Sequence, residues 1–262
     1  MDQTGTQNPS SFPSYLIDYD VYVMSKSERL TYTAVAAVGL FAVGYIFFQN
    51  IIVGLVVALG AFWYPKFKVK DLIAKRKQEL GVQFKDALYS LSSSLSSGKS
   101  LESSFKVALN DLKILYADDN TYIIKEFEYI CRMIEMNEPV EKALAGFAER
   151  SHMEDIKNFA DVISICKRVG GNLVEVVKNS SNMIGDKIEI EQEIDVLLSK
   201  PKFEQKMLMV MPFIFIAMIN LGGSGYTDPL YASPKGYLLM LVALGLIAFS
   251  YYISKILMNI KV

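Results

Sequence analysis

The hydrophobic and polar positions of this chain follow two rhythms. From Phe84 to about Leu197, apolar residues recur three and four apart with charged residues between them; on either side, apolar residues run on almost unbroken. The first rhythm is that of amphipathic helices, each burying one stripe. The second is that of helices that cross lipid.

The interrupted stretch predicts six helices. Their stripes are Phe84, Leu88, Leu91 and Leu95; Leu101, Phe105, Ala108, Leu112 and Leu115; Ile123, Phe127, Ile130 and Ile134; Val140, Ala143, Leu144 and Phe147; Ile156, Phe159, Ile163 and Cys166; and Leu173, Val176, Ser180, Met183, Lys187, Ile190, Ile194 and Leu197. The breaks between them are short and polar, which favours antiparallel neighbours.

The tightest break is Gly170-Gly171-Asn172. Gly170 suits the left-handed position that ends a helix, where a β-carbon costs roughly 1 kcal/mol or more. Lys167 and Arg168 lie in the preceding turn, where cations suit the helix dipole. Asn172 predicts a cap for the next helix, and Glu175 can complete a capping-box-like pair. Weaker versions of the same device are Ser97-Gly98-Lys99-Ser100-Leu101-Glu102, Asn137-Glu138-Pro139-Val140-Glu141 and the Ser-x-x-Glu box of Ser151-His152-Met153-Glu154.

Of the unbroken stretches, Leu30 to Phe48 is long enough to cross a hydrocarbon core, which takes roughly 20 residues. Ile51 to Tyr64 covers only roughly 21 Å as a helix. Adding Pro65 to Val69 restores the length, with Lys66 and Lys68 reaching outward and Trp63, Tyr64 and Phe67 at the interface. Met207 to Leu221 and Tyr237 to Ser254 form a second pair, joined by a loop rich in glycine and proline.

The expected fold is therefore all-α: a polytopic membrane protein whose four transmembrane helices, in two hairpins, flank a six-helix cytoplasmic bundle. Residues 1–29 are expected to be a mostly disordered cytoplasmic start without a cleavable signal, 30–69 the first hairpin, and 70–204 the helical domain. Residues 205–258 form the second hairpin with an outer loop at 222–236, and 259–262 a cytoplasmic tail.

Composition agrees once it is divided this way: 52% hydrophobic content is compatible with 21% charge because the two are segregated. The net charge of −1 hides an uneven placement of cations. Lys26 and Arg29, the run Lys66 to Lys77, then Lys200, Lys202 and Lys206, and finally Lys255 and Lys261 flank the apolar blocks. The positive-inside rule puts all four flanks, and both termini, in the cytoplasm.

Candidate chemistry is sparse. There is no Gly-x-x-x-x-Gly-Lys-[Ser/Thr] phosphate loop, and Gly170-Gly171 lacks the strand and lysine of a nucleotide site. His152, the single histidine, reads as a surface turn residue; Cys131 and Cys166 have no CxxC spacing and read as reduced thiols. Asp118-Asp119-Asn120 lacks the later ligands and central glycine of a calcium loop and reads as a helix start. The spans carry no ionisable residue in their middles, which disfavours a transporter. No catalytic residue, cofactor or metal is expected, and no nucleic-acid partner. Acidic residues gather at Glu135, Glu138 and Glu141 and again at Glu189, Glu191, Glu193 and Asp195. They form a solvated face or a docking face for a basic partner, with Glu135, Glu138, Glu141, Glu189 and Glu193 as its candidate residues.

The order of hairpin, helical insert and second hairpin, with openings Gly-Lys-Ser-Leu, Asn-Glu-Pro-Val-Glu-Lys-Ala-Leu and Gly-Gly-Asn-Leu-Val-Glu-Val-Val, resembles the inner-membrane platform proteins of type II secretion and type IV pilus machines. It is most similar to the TadB/TadC branch of tight-adherence (Flp) pili, with one helical domain instead of two, over about residues 80–260. The resemblance implies a non-enzymatic platform that engages a separate cytoplasmic hexameric secretion ATPase, holds pilin subunits in the membrane, and works with a sister platform protein or further copies of itself. A sporulation-type assembly protein sharing the domain, or a membrane-anchored helical sensor, are the alternatives.

Overall fold

The computed structural model describes residues 16–118, 120–222 and 233–258. Expectations for residues 1–15, Asp119, most of the outer loop and the tail at 259–262 lie outside these bounds. The described elements are all helical: α1 (Lys26–Phe48), α2 (Ile51–Ala58), a 3₁₀ segment (Leu59–Trp63), α3 (Tyr64–Ser96), α4 (Leu101–Leu115), α5 (Tyr122–Glu135), α6 (Val140–Ser151), α7 (Glu154–Val169), α8 (Leu173–Leu221) and α9 (Pro234–Met258).

The chain divides into two compact units. One is helical, Leu72–Ile188 together with the segment that ends at Tyr22; the other is Val23–Asp71 with Glu189–Val262. Four helices are long and apolar enough to cross a membrane: Lys26–Phe48, the path Ile51–Ser96, Leu173–Asn220 and Lys235–Ser254. The protein is thus a polytopic all-α membrane protein.

In the helical unit, α4 pairs with α5, α5 with α6 and α6 with α7, as short turns require. The core is aromatic at its centre. Phe84 of α3 stands edge-on to Phe147 of α6 and Phe159 of α7, with ring centres 5.9 and 5.5 Å away, and Phe105 of α4 meets Phe127 of α5 at 5.3 Å. Such pairs stabilise beyond the area they bury, by about 0.5–1.5 kcal/mol each.

In the other unit, α1 and α2 pack through small residues. A β-carbon on Gly44 would come within 2.9 Å of Gly54's Cα, so only two glycines allow this approach. Asn50 caps α2 through its side-chain oxygen, 2.9 Å from the amide of Ile52. Phe47 and Phe48 of α1 are buried with Met240 of α9. Asn220, near the end of α8, donates to the carbonyl of Ile46 at 3.2 Å.

Several expectations need correction. Within the start of the chain, the segment Leu16 to Tyr22 packs onto the helical unit and Tyr19 lies in its core. The compact helical unit runs from Leu72 to Ile188, and α3 and α8 pass through residues 70 and 204 without interruption. Pro201 and Pro212 both lie inside α8.

The stripe of α8 is rotated from the predicted one. Val177, Ser181 and Ile184 are buried, while Met183 and Leu197 are exposed. Both sets carry a serine, Ser181 in the buried one and Ser180 in the predicted one, so periodicity alone does not separate them. Leu115 is also exposed, at the last position of α4, where the chain leaves its partner. Finally, Ser151 does not open a capping box. It is the last residue of α6 and its hydroxyl donates to the carbonyl of Ala148, while Met153 takes the cap position of α7.

Candidate functional site

The corner between α7 and α8 is built from backbone geometry. Gly170 has φ +83°, the left-handed conformation that glycine adopts without penalty. Its amide and that of Gly171 both donate to the carbonyl of Cys166, at 2.9 and 2.8 Å, so one acceptor closes the helix. Gly171 serves a different need: a β-carbon there would fall 2.7 Å from the Cys166 sulfur. On the far side, Glu175's amide donates to Asn172's side-chain oxygen at 3.3 Å, and Asn172's side-chain amide donates to Glu175's carboxylate at 3.4 Å. The glutamate therefore closes on the cap's side chain and not on its backbone.

Lys167, one turn before this corner, ties it to two other helix starts. Its ammonium reaches Glu102 at the head of α4 at 3.3 Å and Glu141 at the head of α6 at 3.1 Å. Partial burial works against the lysine's charge, but the two carboxylates outweigh it and raise its pKa. Glu102 is held below the usual carboxylate range, first by its own backbone N–H and then, against partial burial, by Lys167.

The acidic residues singled out from the sequence fall in both units. Glu135 pairs with Lys106 at 3.2 Å, Glu138 with Lys142 at 3.0 Å, and Glu141 with Lys167. These three belong to the helical unit and are locally neutralised. Glu189 and Glu193 belong to the membrane unit and are exposed.

A buried polar group that sequence reasoning missed lies between α5 and α6. Glu126 and Arg150 are almost fully buried and ion-paired, and the hydroxyl of Tyr19 donates to the other glutamate oxygen at 3.3 Å. Burial raises the pKa of Glu126, with Arg150 and Tyr19 pulling the other way. Burial likewise raises that of the Tyr19 hydroxyl. No spacing rule could have paired residues 19, 126 and 150.

In the membrane unit, a cavity of about 620 Å³ opens between α8 and α9, lined by residues including Pro201, Gln205, Leu208, Pro212, Leu246 and Ser250. Its walls are mainly apolar. Among the described residues no three carboxylate, thiol or imidazole groups gather to hold a metal. Asp118 and Asn120 form a turn ahead of α5, with Asn120's amide 2.8 Å from Asp118's carboxylate. Cys131 and Cys166 are free and buried, and burial pushes the Cys131 thiol up to about 11. What the arrangement offers is helix corners, ion pairs and an apolar cavity.

A family model described as type II secretion system (T2SS), protein F, matches residues 79–220, more than half of the chain. No curated protein and no solved structure matches it.

Proposed function

The chain belongs to the type II secretion system protein F family, whose members are platform-type membrane proteins of secretion and type IV pilus machines, and from that footing we propose that it is the platform of a tight-adherence (Flp-like) pilus. The helical unit, together with the exposed Glu189 and Glu193 that follow it on α8, faces the cytoplasm and engages a hexameric secretion ATPase; the spans handle pilin subunits, working with a sister platform protein or with further copies of the chain. It performs no bond chemistry itself.

The observation that carries this reading is the continuity of α3 and α8, each of which starts in one unit and ends in the other. A displacement imposed on the helical unit therefore has two continuous helical paths toward the spans. Pro201 and Pro212 remove backbone donors from α8 and are the natural points at which that path flexes. The apolar cavity beside them suits the hydrophobic segment of a pilin. The lysine and arginine flanks support the cytoplasmic placement of both termini.

Deletion of this chain in its host is expected to abolish pilus assembly while leaving pilin levels intact. Reporter fusions at Leu101 and Asn172 are expected to read as cytoplasmic. Reversing Glu189 and Glu193 to lysine is expected to weaken ATPase capture, more at low salt than at high. Normal pili in the deletion strain would overturn the assignment.

A further inference from the structure

Residues 16–22 form an irregular strap on the helical unit with one turn in it, and the residue at the tip of that turn is Tyr19. The turn closes on itself. Val21's amide donates to Asp18's carbonyl at 3.3 Å, and Asp20's amide donates to Asp18's carboxylate at 2.9 Å. It thus presents the tyrosine in a conformation that local hydrogen bonds already favour.

Tyr19 is 1% exposed. Its amide donates to Arg150's carbonyl at 3.0 Å, its hydroxyl to Glu126, and its ring meets Tyr122 edge-on with centres 5.7 Å apart. The slot is specific for a phenol: a phenylalanine would leave a buried glutamate oxygen without that donor. Either side of the tip is read by charge. Asp20 lies 2.5 Å from Lys77, and Asp18 lies 3.3 Å from the His152 imidazole. Beyond them, Arg76 donates to Val21's carbonyl at 3.3 Å and lays its guanidinium over the Tyr22 ring at 4.8 Å.

The slot's floor belongs to α5 and α6, which pack on each other, so the site does not need the strap in order to exist. The strap, by contrast, commits a single side chain to the core, and its ion pairs are partly exposed and weak. This is the make-up of a receptor and a bound peptide joined in one chain.

We propose that the slot over Glu126 and Arg150 is a peptide-binding site, selective for a tyrosine at the tip of an Asp-Tyr-Asp turn. The chain fills it with its own residues 18–20, and the same turn of a second copy can fill it instead. Every copy carries one turn and one slot, so exchange reproduces the same contacts in each slot and joins neighbouring helical units without new ones. This goes beyond the platform reading and stands without it.

The test uses the full chain in lipid nanodiscs and a dye-labelled peptide of residues 16–23, read by fluorescence anisotropy. The Tyr19→Ala chain, its slot vacated, is expected to bind the peptide saturably. The intact chain should bind it at least about tenfold more weakly, because a tethered competitor acts at an effective concentration near the millimolar range. A peptide carrying Tyr19→Phe should bind several-fold more weakly than the parent, and one carrying Tyr19→Ala not at all. Equal binding to both chains, or to the alanine peptide, would overturn the proposal, as would no binding to the folded Tyr19→Ala chain. Should Tyr19→Ala fail to fold, Asp20→Lys, which leaves the slot intact and repels Lys77, must bind more peptide than the intact chain; if it does not, the strap is a permanent part of the core and the proposal fails. For the second copy, two differently tagged intact chains co-reconstituted together should capture one another, and excess free peptide should release them. Capture indifferent to the peptide would remove exchange between copies.

Discussion

The two units hold their helices together by opposite means. In the helical unit the closest packing is made by large side chains, with Phe84 wedged between Phe147 and Phe159. In the membrane unit it is made by missing ones, Gly44 against Gly54. Water explains the first, since removing a phenylalanine from it is favourable wherever the ring ends up. In lipid a leucine gains nothing by turning inward, so close backbone approach carries more of the adhesion there, beside the ring contacts of Phe47 and Phe48. The exposed leucines and valines of α1 and α9 are what this difference predicts.

Large-to-small substitution tests that contrast most severely. Phe84→Ala is expected to destabilise the full chain by about 3–5 kcal/mol in chemical denaturation. Leu241→Ala, on the exposed face of α9, should change it by less than about 0.5 kcal/mol. Comparable losses at the two sites would erase the distinction between the units.

Breaking the buried ion pair ranks beside it. Glu126→Ala strands Arg150 in the core and should cost about 3–5 kcal/mol by the same measurement. A loss below about 1 kcal/mol would mean that solvent already reaches the pair.

Small-to-large changes come next and reverse the contrast. Gly44→Ala drives a methyl into Gly54 and should cost about 1–3 kcal/mol, whereas Gly39→Ala, with open space around it, should be neutral. At the corner of the helical unit, Gly171→Ala should cost about 1–2 kcal/mol. Most of that loss should return in the Cys166→Ala background, where the clashing sulfur is gone. A double-mutant cycle with no coupling would refute the close-approach role.

The smallest effect is in pH dependence, where two glutamates have opposite signs. Glu102 lies below its ordinary value of 4.5, so its contribution is full above that pH and is lost as pH falls through the lower folded value. Glu126 lies above 4.5, so its contribution is full below that pH and is lost as pH rises through the higher folded value. Glu102→Gln should therefore flatten the acid limb of a stability profile and leave its neutral limb in place. An unchanged acid limb would show that Lys167 does not anchor α4.

Much of the fold could be read from periodicity. The stripes of Phe84 to Leu95, Leu101 to Leu112 and Ile156 to Cys166 are buried as their spacing required. Periodicity failed where two offset stripes each carried a serine, Ser180 and Ser181 in α8, and where the chain docked without any period, as at Tyr19. Of the corner residues, Gly170 announced its left-handed backbone. Gly171 gave no sign that it was needed for the sulfur of Cys166. The acidic residues were visible, and so was Lys142 four residues from Glu138, but not Lys106 and Lys167, which neutralise Glu135 and Glu141.

The linear chain by itself determined which segments are helices, which of them suit lipid, and where tight corners fall, because propensity, hydropathy and glycine act over a few neighbouring residues. Only the tertiary structure decided that Gln83 would cap α5 through Ile123's amide at 3.2 Å, that Lys167 would join the heads of α4 and α6, and that Tyr19 would close over Glu126 and Arg150. Those partners are 40, 65, 26 and 107 residues apart, and a buried polar group takes its donor from whatever the fold brings near, wherever that lies in the chain.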